Sequence, residues 1–453
     1  MARSLLRVAI AVVTRSEGGC WPNMGGFSMI RKATLLLFCW FWTIPALAQF
    51  DLLLKGGHLI DPKNKINQRM DLAILDGKVA AVAPNLEATL ARRAIDLKGL
   101  YVTPGLVDLH THLFNTPGLA GVWAGDSSVS ADAFSFRTGV TTMVDAGSAG
   151  WRNFEYFRHS VIDRARTRVL ALINIVGFGM INDFAEQDKN DMKPEEVARL
   201  AQKHKDIVVG VKSAHYQGTD WTSVDRAIEA GKLARIPVMV DFGYFLPERP
   251  YWKLVSERLR PGDISTHMFR GPVPYVDETG KLYPYLRQAQ ARGVKFDVGH
   301  GGGSFVMRNA FPAIQQGFYP DSISTDLHAG SMNAGMMDMP TTMSKLLVMG
   351  MPLQEVILRS TWNPAQIIHR PDLGHLSVGA TADLSVWNLM EGDFGFADAS
   401  GGKIQGNRRL FCELTLKDGR IAWDWNARGA VDYKTLEPMY GIRKGIDQIV
   451  RPR

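Results

Sequence analysis

Eight short apolar segments, each closed by a polar or ionisable residue, constrain this chain more than any other feature. They lie at residues 106–109, 141–144, 169–173, 207–211, 237–240, 263–266, 295–299 and 322–325. Helical periodicity separates several of them, at 194–203, 223–233, 283–292 and 340–349. Apolar strands alternating with amphipathic helices predict a parallel sheet with helices packed outside it. Eight such units over roughly 270 residues match a (β/α)8 TIM-like barrel. An open doubly wound sheet is the alternative. It calls for a glycine-rich phosphate turn after the first strand, which this chain lacks.

The residues closing the segments are, in order, His110 with His112, Asp145, Asn174, Lys212, Asp241, His267, His300 and Asp326. Barrel enzymes carry their chemistry at this rim, with several strands contributing. His110 and His112 are two apart on an extended strand, so both point to one side and can converge on one metal ion. Lys212 ends a segment that should be buried, where a free ammonium is costly unless it is paired or neutralised. Asp326 can hold a metal, take a proton and return it. After His300, Gly301, Gly302 and Gly303 let the backbone approach a substrate, and His300, Gly301 and Gly302 are candidate substrate contacts. No Lys-Ser/Thr pair follows these glycines, so they are not a nucleotide loop.

Two β-rich blocks flank the barrel region. One holds strands at 51–55, 70–75 and 78–82 with turns at Gly56-Gly57 and Asp76-Gly77. The other holds strands at 382–387 and 412–423 with an Asp418-Gly419 turn. They predict a small β-sandwich assembled from both chain ends, 49–102 and 371–425, around a barrel at 103–370, with 426–453 as a tail. The first 48 residues read as an export signal: basic Arg31-Lys32 after Met29 (a possible true start), an apolar core, then Ala46-Leu47-Ala48 before Gln49. An exported, periplasmic or secreted location follows, with no stable membrane insertion after removal. The net charge of +7 rests largely on that segment; without it 47 basic side chains face 44 acidic ones, no footprint for nucleic acid. Only Cys412 of three cysteines survives removal, and its apolar setting predicts a buried, inert thiol.

With these residues in view, the chain resembles the amidohydrolase superfamily of metal-dependent hydrolases, and within it the dihydroorotase-like and D-aminoacylase-like deacetylase branch. The resemblance runs from Asp51 to Trp425. It rests on the run 102–112, Gly210-Val211-Lys212, Thr266-His267, Ser324-Thr325-Asp326, Thr361-Trp362-Asn363-Pro364-Ala365 and the stretch 374–384. It implies an inner metal on His110, His112 and Asp326, and an outer one on His267. It also implies a CO2-derived carbamate on Lys212 bridging two ions, Zn2+ or Mn2+, and Asp326 as proton shuttle for a metal-bound hydroxide. Where the branch usually carries a histidine ligand, this chain has Asp241, a harder donor. His215 is a substitute ligand, a substrate contact or a strand-exit surface histidine. The implied activity is hydrolysis of an amide or ester bond in a small acylated compound, deacetylase- or aminoacylase-like. The alternatives are a dihydroorotase-like cyclic-amide hydrolase and a non-catalytic scaffold. A small molecule is the expected partner, and a homo-oligomer is left open.

Overall fold

Turn chemistry and alternating burial set the N-terminal elements in the computed structural model, which describes residues 49–447. The expected export segment and the chain's last six residues lie outside the described residues. Five strands come first: β1 (Leu52–Asp61), β2 (Ile66–Leu75), β3 (Lys78–Ala83), β4 (Ala94–Asp96) and β5 (Tyr101–Pro104). Asp76 and Gly77, both left-handed (φ 48° and 75°), close the β2–β3 hairpin in the two-residue form that matches strand twist. Gly56-Gly57 is not the turn expected from composition. β1 runs straight through it, and pairing with β2 jumps from Leu54↔Leu72 to Gly57↔Met70, so the glycines form a bulge.

A parallel sheet follows, built from β6 (Leu106–Thr111), β7 (Val140–Gly150), β8 (Arg168–Asn174), β9 (Val208–Ser213), β10 (Val238–Val240), β11 (Ile264–Ser265) and β12 (Lys295–Phe296), hydrogen-bonded in sequence order. One apolar cluster takes Val107 and Leu109 from β6, Val144 from β7, Leu172 from β8, Met239 from β10 and Ile264 from β11, which requires the sheet to curl around it. Helices Pro194–Lys203, Thr222–Ala234, Pro284–Ala291 and Met339–Val348 fall where the periodicity placed them. No described helix is long and apolar enough to cross a membrane.

The eighth expected strand, 322–325, is a correction. It forms isolated parallel bridges, Asp297↔Ser322 on one side, with Thr111↔Leu327 just beyond it on the other, instead of a continuous ladder. Side chains displace ladder partners there: Thr325 N donates to Asp108 Oδ1 (3.0 Å) and Gly299 N donates to Ser324 Oγ (2.9 Å). Asp326, at φ 52°, then ends the extended run.

The chain closes with β13 (Leu384–Ala397), β14 (Lys403–Lys417) and β15 (Arg420–Asp424). Two facing sheets were expected from the chain ends; the structure has one eight-stranded sheet, ordered β15-β14-β13-β5-β1-β2-β3 with β4 beside β1. Antiparallel pairing of β13 with β5, Leu384↔Pro104 through Trp387↔Tyr101, stitches the two ends into it. Its apolar face gathers Leu54, Leu72, Val102, Leu384 and Leu414 into one cluster. The β13–β14 hairpin also runs well past the strands read from sequence, because its outer half, 388–409, alternates polar residues with little apolar signal. Cys412 is buried and unpaired, and burial pushes its thiol up to about 12.

Trp387 joins this sheet to the parallel one. It is fully buried, its Nε1 donates to Thr103 Oγ1 at 2.9 Å, and its ring fills the space where a side chain on Gly139 would sit. Trp387→Ala should therefore cost about 3–5 kcal/mol, read as a lower urea midpoint, with Trp387→Phe in between. A wild-type midpoint for the alanine variant would show that the contact carries no stability.

Candidate metal centre

β6 delivers His110 and His112, buried, to the C-terminal edge of the parallel sheet, and Asp326 reaches the same place from the bridging segment. Asp326 Oδ1 lies 3.1 Å from His112 Nε2 and 3.5 Å from His110 Nε2. Among the described residues, these three form the one group whose donor atoms all lie within 4.8 Å of one another. His267 and Asp326 hold left-handed backbones, φ 57° and 52°, a strained state that persists only where surroundings enforce it. Glycines make the room. A Cβ on Gly301 would stand 2.4 Å from Asp326 Oδ2, and one on Gly299 would stand 2.9 Å from His267 Nδ1 and 3.1 Å from His110 Nδ1.

The hydrogen bonds behind the imidazoles fix their protons. Thr266 Oγ1 donates to Asp297 Oδ2 (2.8 Å), so it accepts from His110 Nδ1 (2.9 Å). The Ser148 hydroxyl bonds the Asp145 carboxylate, so its oxygen accepts from His112 Nδ1 (2.9 Å). Gly299 O can only accept, and it takes His267 Nδ1–H at 2.5 Å. In neutral rings all three Nε2 atoms are then bare lone pairs. Those of His110 and His112 face Asp326 Oδ1, and that of His267 faces Asp241 Oδ2 at 3.1 Å. Acceptor against acceptor at these distances calls for a positive charge between them, a proton on the ring or a metal ion. Ligands about 2.0–2.2 Å from a tetrahedral metal stand about 3.3–3.6 Å apart, close to the observed spacings. The donor set fits a divalent ion.

Charge is arranged to match. Burial, and then the Lys212 ammonium, hold His110 well below its usual pKa, which keeps it neutral. Lys212 is fully buried with Nζ 3.0 Å from His110 Nε2, and burial lowers its own pKa. Burial opposes ionisation of Asp326, but His110 and His112 hold its carboxyl below the ordinary range. Asp241 shows the same contest: burial raises it, while Arg270 and His267 pull it well below. Arg270 Nη1 donates to Asp241 Oδ1 at 2.9 Å, leaving Oδ2 to face His267.

Two models of the Amidohydrolase family match the sequence, over residues 93–152 and 306–415. The chain is 36% identical over 347 residues to a deacetylase of Agrobacterium fabrum, covering 74% of this chain and 82% of that one. The chain belongs to the amidohydrolase family. It is an enzyme, a hydrolase acting on carbon–nitrogen bonds. A solved dihydroorotase superposes with TM-score 0.73 at 32% identity, covering 82% of this chain and 98% of that one. A solved adenine deaminase superposes with TM-score 0.75 at 29% identity, covering 83% and 100%.

Within this amidohydrolase, Lys212, His267 and Asp326 lie beside the two histidines, and Asp241 faces His267. His300 does not offer a free nitrogen to a substrate. It is fully buried, its Nδ1 bonds Gly301 O (2.9 Å), its Nε2 takes Lys345 Nζ (2.7 Å), and its ring stacks on Phe305. Burial and the Lys345 charge push it down to about 3. Gly301 makes room for Asp326, and Gly302 lies nearest the backbone of Gly330 and Ser331. His215 packs against Asp241, with Nε2 3.3 Å from Oδ2.

The sequence reading missed two neighbours. Trp123 lies over the amidohydrolase's centre, its ring 4.9 Å from that of His112 and 4.3 Å from that of His328. His328 accepts from the Gly330 and Ser331 amides at Nδ1, so Nε2 carries its proton, 3.9 Å from Asp326 Oδ2. His328 stands two residues past Asp326, the same spacing that singled out His110 and His112. Trp123 sits in a loop with no periodic signal.

Thr266 tests the orienting bonds. Thr266→Val keeps the shape and loses the hydroxyl, so metal affinity should fall about 10–100-fold, measured by competition with a chromophoric chelator. Thr266→Ser should stay near wild type. Equal affinity in the valine variant would mean that the hydroxyl does not set the His110 tautomer.

Proposed function

We propose that this amidohydrolase is a metal-dependent deacylase that cleaves an amide or ester bond of a small acylated compound. The closing of His110 and His112 lone pairs on the same Asp326 oxygen carries this reading, since that arrangement is built for a cation. The deacetylase of Agrobacterium fabrum supports the acyl substrate. The bridges that the segment around Ser322 makes to both edges of the parallel sheet support a closed (β/α)8 barrel. A cyclic-amide hydrolase is the second reading, favoured by the 32% identity to a dihydroorotase.

His110, His112 and Asp326 would hold one ion, zinc first by its liking for imidazole nitrogen, with Mn2+ as the harder alternative. His267 and Asp241 would serve a second. A divalent ion there supplies Lewis acidity and acidifies water to near neutral pH. Burial lowers the Lys212 pKa and so favours the neutral amine, the form that adds CO2. Forming the N–C bond from the neutral amine releases one proton, two in all when counted from the ammonium, and would leave an anionic carbamate beside His110.

Asp326 divides its work between its oxygens. Oδ1 is committed to the histidine side, while Oδ2 lies against Gly301 and His328. Oδ2 takes the proton of the attacking water and returns it to the departing nitrogen or oxygen. Trp123, over His112, restricts water above the centre. We further propose that the segment from Met29 to Ala48 directs export and is removed, which mass spectrometry of the exported chain would test.

Asp326→Asn keeps one oxygen donor and cannot take the proton. Turnover should fall at least about 10²-fold with most bound metal kept. Near-normal turnover would place the base elsewhere. Across N-acetyl amino acids, acyl esters and cyclic amides, the acylated compounds should be the substrates. Turnover of cyclic amides alone would replace this reading with the second.

A further inference from the structure

The loop after β8 and the loop after β9 are built around one side chain, His215. Glu186 Oε2 lies 2.9 Å from His215 Nδ1. The next residue, Gln187, grips the backbone on either side: its Nε2 donates to His215 O (3.0 Å), and its Oε1 accepts from Gln217 N (2.8 Å). His215 itself is held in a left-handed conformation, φ 50°, which a non-glycine residue adopts at a cost. Four constraints on one surface-loop histidine are more than packing requires.

They point its ring at Asp241. His215 Nε2 is 3.3 Å from Asp241 Oδ2, and His267 Nε2 is 3.1 Å from the same atom. Arg270 occupies Oδ1, so Oδ2 is the oxygen left to bind. Glu186 accepts and cannot donate when ionised, so Nδ1 of His215 carries a proton and Nε2 of the neutral ring is a bare lone pair. The arrangement approaches that of the His110–His112–Asp326 group: two imidazole nitrogens face one carboxylate oxygen, each ring tied behind by an acceptor, with the two nitrogens farther from each other than in that group. Glu186 is 2% exposed, and its Oε1 has no hydrogen-bond partner. A buried carboxylate left half-satisfied is expensive unless it balances a positive charge beyond the histidine it holds.

We propose that His215, oriented by Glu186, is a metal ligand of the second ion position, completing it with Asp241 Oδ2 and His267 Nε2. This rests on the metal-dependent reading above. The competing arrangement has no ion: His215 keeps protons on both nitrogens and forms an ion pair between two carboxylates. Metal binding must displace the Nε2 proton, so the two arrangements differ in observable ways.

The test uses the full mature chain and cadmium as the probe. In histidine-¹⁵N-labelled protein loaded with NMR-active cadmium, His215 Nε2 should show cadmium–nitrogen coupling, with its signal identified by its loss in His215→Gln. Metal analysis after dialysis should give two ions per wild-type chain and one in both His215→Gln and His215→Ala. Glu186→Gln should weaken only the second ion, by about 10–100-fold. Circular dichroism separates these losses from misfolding. Two ions in a folded His215 variant, or a doubly protonated His215 in cadmium-saturated wild type, would overturn the proposal. A wild-type chain that binds no metal at all would instead overturn the reading beneath it.

Discussion

The centre depends on what happens behind the imidazoles. His110, His112 and His267 each spend Nδ1 on a fixed acceptor: a threonine hydroxyl, a serine hydroxyl and a backbone carbonyl. Without those bonds each ring could turn a proton toward Asp326 or Asp241 and satisfy the carboxylate alone. With them, imidazole lone pairs face carboxylate oxygens in a buried place, and Lys212 Nζ, 3.0 Å from His110 Nε2, offsets part of the repulsion. A bound cation would resolve the arrangement, and its binding energy would become folding energy of the site.

Ring geometry and ligand orientation share the same carboxylates. Asp297 accepts from Thr266, which holds His110, and also from Ser322 and Ser324 of the bridging segment (2.5 and 2.7 Å). Asp108 accepts from Thr325 Oγ1 (2.5 Å) and from the Thr325 amide (3.0 Å), just before Asp326. Burial pushes Asp108 up to about 7 and raises Asp297 as well, so these hydroxyls and amides are what make the two groups tolerable inside. A change in either would move both the last segment and the first histidine. Gly299 and Gly301 belong to the same construction, since a side chain on either would meet the groups being positioned.

Much of this was legible in the sequence, and the reasons are local. An apolar run that ends in His110-x-His112 can only be a strand end aimed at one spot, and Lys212, His267 and Asp326 repeat that grammar. The Asp76-Gly77 and Asp418-Gly419 turns were readable because two consecutive left-handed residues demand those types. What failed was non-local. Gly56-Gly57 as a bulge depends on pairing with Met70 and Leu72. One sheet instead of two depends on β5 finding β13, nearly three hundred residues away. The eighth segment keeps main-chain bonds such as Val298 N to Ser322 O, but Asp108 and Ser324 side chains interrupt its ladder, which periodicity cannot see. His300 looked like its companions at the other strand ends, but its ring is claimed by Lys345 from a distant helix. Thr266, Ser148 and Asp297 act one layer behind the ligands, where the sequence signal is only a polar residue inside an apolar strand.

The central claim is that His110, His112 and Asp326 are arranged for a metal. An anomalous difference map from crystals grown with zinc, collected on both sides of the zinc absorption edge, tests it directly. A peak is expected between His110 Nε2, His112 Nε2 and Asp326 Oδ1, at about 2.0–2.2 Å from each. No peak at saturating zinc, with the histidine Nε2 atoms donating hydrogen bonds to Asp326, would contradict it.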